Sequence, residues 1–518
     1  MSVAAFDDDP RVVERLVGQL PSSSARTQDT FAPFTGRTIA AVPVSTADEV
    51  EEVVAQARAA QPSWATTALE ERARILLDFH DLVLDRQSDI LDLIQEESGK
   101  ARKHAFEEVA HVAMTARYYG LTAARHLGPD RRIGAFPGFT KVLVNRVPKG
   151  VVGIISPWNY PFTMGISDGL PALLAGNVVV HRPDTQTALS ALVGVELLRE
   201  AGLPDDVWRP VCGPGPVVGT ALVGAVDYVC FTGSTRTGRT VATQAAARLV
   251  GASLELGGKN PMLICADASL SRAAEGAVRG CFSSAGQLCV SMERLYVADE
   301  IYERFVERFL HRVSGMKVAG DRDFDTDMGS LISQLQLATV TEHVEDAVAK
   351  GATVLAGGRA RPDLGPLFFE PTVLSGVTPA MTCYGTETFG PVVSIYRFHD
   401  EAEAVERANA SSYGLNASIF SRDLPRARRL AAQVRCGTVN INEAYAASFA
   451  SIDSPMGGMG QSGLGRRQGA EGIHRFTDPQ AVATQRGLRF AAMPGLSDRA
   501  YAKLMTASLR GLKKLGRP

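Results

Sequence analysis

The stretch CFSSAGQLCVSMER at 281–294 sets two cysteines eight positions apart among small residues. A thiol attacks only as its thiolate, so a reactive cysteine needs a base or a favourable field. No histidine lies in the stretch, and the spacing matches no common metal motif. Cys289, within SSAGQLCVS, has room around its sulfur. Cys281, followed by Phe282, reads as a core residue, the usual fate of a free cysteine. A second candidate is Glu255 in LELGGKNP, where a carboxylate ends an apolar run. Apolar walls raise a carboxyl pKa, which suits a general base, while a capping or ion-paired glutamate is the plain alternative. The third is FTGSTRTGR at 231–239. Gly233, Ser234 and Gly238 make a small-residue turn between a strand and a helix, where backbone N–H groups can meet a phosphate. Its glycines are five apart, so it is not the GxGxxG fingerprint, and an ordinary turn reads the same way.

Those residues need a scaffold, and 518 residues suggest roughly three domains of ~150 residues. Lys and Arg number 54 against 56 Asp and Glu, a net charge of −2. That balance excludes an ordinary nucleic-acid binder and leaves a small molecule as the partner. The seven cysteines, at 212, 230, 265, 281, 289, 383 and 436, form no CxxC pair, so neither a disulfide framework nor a metal site is expected. With no charged-then-apolar leader and no apolar run near the ~20 residues of a membrane span, the expected location is cytoplasmic.

Residues 1–30 read as a loosely held arm. Thr46 with Glu49, and Thr67 with Glu70, have the spacing of capping boxes ahead of amphipathic helices. From Lys141, short β-branched runs alternate with helix-like stretches, which implies a parallel, doubly wound sheet. A second alternating region runs from about Glu255 to Ala450. In residues 487–518, Tyr501, Leu504, Met505, Leu512 and Leu515 fall at helical spacing among basic residues. This basic amphipathic extension either packs on its own protein or a sister subunit, or touches a membrane surface or partner.

PWNYP (157–161), FTGSTRTG, ELGGKNP, GQLC and ETFGP (387–391) stand in an order and spacing that resembles the aldehyde dehydrogenase superfamily. The likeness covers about residues 34–485 and is greatest to the succinate-semialdehyde dehydrogenase group. It implies an α/β fold with two doubly wound domains and a small β oligomerisation arm. The dinucleotide-binding domain would be 31–135 with 148–254, the catalytic domain 255–449, and the arm 136–147 with 450–486, in a homodimer or tetramer. The resemblance assigns Cys289 as nucleophile, Asn159 as the amide that holds the oxyanion, and Glu255 as the base that activates water to hydrolyse a thioester. Relatives that pass the acyl group to coenzyme A lack that glutamate, so release of the free acid is implied. Trp158, Asn159, Arg182, Pro183, Asp184, Thr185, Gly233, Ser234, Gly238, Leu256, Glu387 and Phe389 would hold NADP, or NAD.

The chain departs from the family pattern at several places. Arg182 replaces a lysine and Thr185 a glutamate, which favours NADP by removing a carboxylate that would repel a 2′-phosphate. Ser283 and Ser167 stand where enzymes for succinic semialdehyde carry arginines, Asp168 replaces a lysine, and Arg467 replaces an acidic residue. Succinic semialdehyde is therefore the named substrate but lacks its usual cations, unless Arg435, Arg466 or Arg467 approaches the tunnel by another route. Tyr160, Phe162, Tyr445 and Phe449 could wall a site for neutral aliphatic or aromatic aldehydes. A cysteine hydrolase, or a silent relative with a structural role, are the remaining alternatives.

Overall fold

Runs such as VVGII and VVVHR are apolar on both faces, so they need helices above and below. The computed structural model, which describes residues 10–21, 26–136 and 138–516, has that arrangement. Its first sheet runs in the order Gly463–Leu464, Gly251–Glu255, Tyr228–Thr232, Val151–Ile155, Val178–Arg182, Trp208–Pro210. Neighbours are parallel except at the antiparallel Gly463–Leu464 edge. From Val151–Ile155 the chain winds to one side, then returns to Tyr228–Thr232 on the other. The order reverses between those two strands, and such a switch point leaves a crevice beyond their carboxyl ends. The PWN and FTGS segments leave the sheet there.

The second sheet has the order Thr353–Ala356, Thr372–Ser375, Val392–Phe398, Met292–Ala298, Asn260–Ile264, Asn416–Phe420, Thr438–Ile441. Only the Thr353–Ala356 and Thr372–Ser375 pair is antiparallel. Helices Leu270–Phe282 and Tyr302–Ser314 bury Phe282, Phe305 and Phe309 in its core. Two doubly wound α/β layers are thus present, as the repeated strand–helix alternation implies.

Both sheets lie in one compact unit, formed by the chain up to His126 and by Pro148–Phe476. The other unit is Leu127–Val147 with Thr477–Pro518, and its sheet joins Thr477–Gln485, Thr140–Pro148 and Asp130–Arg132. This differs from the expected arm, because residues 450–476 belong to the large unit. The cause is local pairing: Gly463 and Leu464 add to the first sheet beside Glu255 and Leu254, and Ser462 Oγ donates to the Gly257 carbonyl at 2.7 Å. In the small unit, the C-terminal helix Asp498–Lys514 starts under a Ser497 cap and buries none of its residues. Leu504, Leu509, Leu512 and Leu515 stay exposed.

Two further expectations fail for physical reasons. Helix Pro10–Val17 is no loose arm, since Val12 and Leu16 join a core cluster with Leu93, Leu189 and Leu192; residues 1–9 lie outside the described residues. Thr46 and Glu49 do form a capping box, but Thr67 does not. Thr67 closes the preceding helix, its N–H on the Trp64 carbonyl and its hydroxyl on that of Ser63, so the next helix starts uncapped at Ala68. No helix among the described residues is long and apolar enough to cross a membrane.

Candidate active site

One cavity of about 280 Å³ gathers side chains from segments far apart in the sequence. Trp158, Asn159, Gly233, Ser234, Glu255, Leu256, Cys289, Glu387 and Phe389 all line it, with Tyr160, Met164, Phe449, Met456 and Arg467. Among the described residues no histidine lines it, so none of their imidazoles stands ready to make Cys289 a hydrolase nucleophile. Of the four aromatic residues expected to wall a neutral aldehyde, Tyr160 and Phe449 do line the cavity. Phe162 and Tyr445 do not; both are packed away in the interior.

The Cys289 loop is held by unusual backbone. Ser284, Ala285 and Gly286 follow one another with φ of 51°, 54° and 69°. For Ser284 and Ala285 this left-handed geometry costs about 1–2 kcal/mol each, so the surroundings must enforce it. At 286 only glycine fits, because a Cβ would fall 2.0 Å from the Gly390 carbonyl oxygen. Ser284 N–H donates to His104 Nδ1 at 3.1 Å, and Gln287 ties the loop down through the Ser284 and Ser330 carbonyls and the Ile332 N–H. Of the seven cysteines, Cys289 alone keeps some surface open, toward the cavity it lines. Burial, then the Glu255 and Glu387 carboxylates, push its thiol up to about 12. Its proton therefore needs an acceptor.

Asn159 follows the strand Val151–Ile155, and its Nδ2 donates to the Gln287 carbonyl at 3.0 Å, which uses one of the two amide hydrogens. Its own carbonyl accepts from Lys100 Nζ at 2.6 Å. Lys100 and Glu108 form a buried ion pair, and Glu108 also accepts the Phe162 and Thr163 N–H groups at 2.9 and 3.0 Å. This pair is the clamp on the Asn159 turn. Lys100→Met would leave Glu108 buried without its cation, and a loss of about 3–5 kcal/mol in stability is expected. Urea unfolding measures it, and a change below about 1 kcal/mol would show that the pair does not hold the turn.

Glu255 ends its strand 7% exposed, and its Oε1 is buried with no hydrogen-bond partner. Burial raises the carboxyl to about 8, opposed first by Arg467. Glu387 is gripped across the cavity, its Oε1 accepting the Gly258 N–H at 2.8 Å. The adjoining Gly257 is what admits it, since a Cβ there would lie 2.2 Å from Glu387 Oε2. Burial and the nearby Glu293 carboxylate raise Glu387 to about 8 as well. Phe389 packs edge-on to Trp158 at 5.5 Å.

The remaining expected residues are not in this cavity. Gly238 lies inside helix Thr235–Ala247, where a Cβ would strike Leu256 at 2.5 Å; it serves close packing. Arg182 ends the strand next to Val151–Ile155, and Pro183, Asp184 and Thr185 follow it. Arg182 is anchored by Nε and Nη2 on the Gly213 carbonyl at 3.0 and 2.7 Å, with Nη1 3.7 Å from Asp184. Thr185 is 2% exposed and its hydroxyl is sealed inside, which sequence spacing could not show.

Of Arg435, Arg466 and Arg467, the arginines that could approach the tunnel, Arg467 lines the cavity. It is 3% exposed and lies 3.3 Å from Asp168, to which Arg475 also binds at 2.8 Å. The signal was in the sequence: a cation lost at 168 and an acid lost at 467 are one exchange of sign within a touching pair.

Residues 20–482 match the aldehyde dehydrogenase family. The chain is 52% identical over 482 residues, 93% of each chain, to a Mycolicibacterium smegmatis protein that bears the name "Putative succinate-semialdehyde dehydrogenase (NADP(+))". It is 38% identical over 464 residues to 3-sulfolactaldehyde dehydrogenase of Pseudomonas putida, 89% of this chain and 94% of that one. The structure of betaine aldehyde dehydrogenase from Staphylococcus aureus in complex with NAD+ matches with a TM-score of 0.86 at 31% identity, covering 92% of this chain and 95% of that one.

Proposed function

The chain belongs to the aldehyde dehydrogenase family, and from that premise we propose that Cys289, Asn159 and Glu255 convert an aldehyde to its free acid. The observation that carries this reading is the single cavity that joins the three side chains from three separate segments. The Cys289 sulfur bonds to the aldehyde carbon while Glu255, the buried carboxylate with an unused oxygen, takes the thiol proton. The oxyanion that forms is held by the Asn159 amide and the Cys289 backbone N–H. Bound NAD(P)+ would supply the acceptor for the hydride of that carbon, which would leave the acyl group as a thioester on Cys289. Glu255 gives up the thiol proton to solvent and, again a carboxylate, takes a proton from the attacking water; the acid departs and that proton returns to the Cys289 sulfur, which restores the thiol. A panel of aldehydes assayed with both dinucleotides tests this: absorbance of reduced dinucleotide should rise with at least one, and none rising would overturn it.

Residues at the switch point suit the dinucleotide. Ser234 caps the helix that opens at Thr235 by accepting the Thr237 N–H, and a helix N-terminus at that point would suit a diphosphate. Glu387 is a carboxylate fit to accept ribose hydroxyls, and Arg182 offers a cation for a 2′-phosphate. We assign NADP as used at least as well as NAD, in keeping with the name of the M. smegmatis relative. Asp184 competes for Arg182, so Asp184→Asn, which keeps the cap on Gln186, should raise the NADP-to-NAD ratio of kcat/KM about fivefold. An unmoved ratio would place the adenosine end elsewhere.

For substrate, we take succinic semialdehyde as the leading aldehyde, supported by the name of that relative. Neutral aliphatic or aromatic aldehydes are the second reading, favoured by the apolar wall of Tyr160, Met164, Phe449 and Met456. We assign homo-oligomerisation to the small unit, whose strand Thr477–Gln485 is exposed from Asp478 onward.

A further inference from the structure

We propose that Arg467 is the residue that recognises the anionic end of the aldehyde, doing from the cavity wall what arginines at 283 and 167 would otherwise do. This rests on the aldehyde dehydrogenase reading above and specifies its substrate class: an aldehyde that carries a carboxylate or sulfonate at its far end.

The first ground is unspent hydrogen-bonding capacity. Arg467 lines the cavity with Cys289, yet its Nε is buried with no acceptor. Its Nη1 meets only the Met164 sulfur, at 2.8 Å, and a thioether is a weak acceptor. A buried guanidinium with idle N–H groups is costly, and an oxyanion entering the cavity would satisfy them through charge-assisted bonds.

The second ground is charge. Asp168 carries one negative charge and is shared by two buried cations, Arg467 and Arg475. The trio is left one positive charge in excess. His111, beside it, is held neutral by burial and does not change that balance. Glu255 and Glu387 are the other acids that line the cavity, and burial favours the neutral form of both at neutral pH. An anion is what the wall lacks.

The third ground is that the usual places are occupied by other bonds. Ser283 Oγ donates to the Arg279 carbonyl and meets the Tyr445 hydroxyl. Ser167 Oγ bonds His111 Nδ1 at 3.1 Å. The inverted Asp168–Arg467 pair puts the cation on the wall instead.

The test compares kcat/KM for succinic semialdehyde, sulfoacetaldehyde and butanal in the full-length enzyme, in Arg467→Met and in Arg467→Lys. The wild-type enzyme should prefer at least one anionic aldehyde over butanal by tenfold or more, expressed in KM, and the two anionic arms tell carboxylate from sulfonate. In Arg467→Met that ratio should collapse toward one, and in Arg467→Lys part of it should return. Asp168 keeps Arg475 in both variants, so no buried acid is orphaned. A ratio unchanged in Arg467→Met overturns the inference, as does a loss confined to kcat and equal for all three aldehydes. Wild-type enzyme that oxidises butanal as readily as the anions sinks this inference alone. Wild-type enzyme that oxidises no aldehyde sinks the reading beneath it.

Discussion

Cys289→Ala is expected to lower aldehyde oxidation by on the order of 10⁴-fold or more, the scale of loss when a covalent nucleophile is removed. Cys281→Ala, eight positions away, should keep most of the activity. The two thiols differ in place more than in chemistry: Cys281 is packed in the core of the second sheet, whereas Cys289 lines the cavity with Asn159 and Glu255. Burial lifts both thiols, so neither is a ready thiolate, and only the one beside a free carboxylate oxygen has a route for its proton. Alkylation followed by mass spectrometry offers a second readout. Cys289 should be modified first, and slowly near neutral pH, because its thiol lies at about 12. Equal loss in both alanine variants, with unchanged circular dichroism, would refute the assignment.

The contrast between these cysteines shows what the linear chain reveals. The short motifs were legible because each sits where a strand ends or begins: PWN after Val151–Ile155, FTGS after Tyr228–Thr232, Glu255 at the close of Gly251–Glu255. Short, continuous β-branched runs place the strands, and the doubly wound order places their ends together. What stayed hidden depends on partners distant in sequence. Lys100 and Glu108 belong to none of the motifs, yet they are buried and clamp a turn some sixty residues on. Thr185 looked like a group facing a ribose, and a single 3-10 turn seals it inside. Gly463–Leu464 is a two-residue strand, too short for any periodicity, so the arm boundary near 450 had no signal to correct it. Arg467 was visible as an oddity, but only its contact with Asp168 turns two departures into one exchanged pair.

Glu255→Gln should separate the two halves of the reaction. The amide matches the carboxylate in shape but cannot take a proton from water, so steady-state turnover should fall about 10²–10⁴-fold, the usual contribution of a general base. Thioester formation precedes that water step, so mixing enzyme with aldehyde and dinucleotide should still release one equivalent of reduced dinucleotide per site. Because Glu255 also takes the thiol proton in this scheme, the burst should be slower while its amplitude stays the same. The wild-type pH profile gives the sign independently. Burial raises Glu255 to about 8, so its working carboxylate form is the minor one at pH 7 and grows as pH rises through 8. Turnover should therefore climb between about pH 7 and 9, and that limb should vanish in Glu255→Gln. The glutamine also leaves Arg467 paired with Asp168, so no new buried charge confuses the comparison. A steady-state rate equal to wild type would show that a different group activates the water, and Glu387, the other cavity carboxylate lifted to about 8, would be the first to examine.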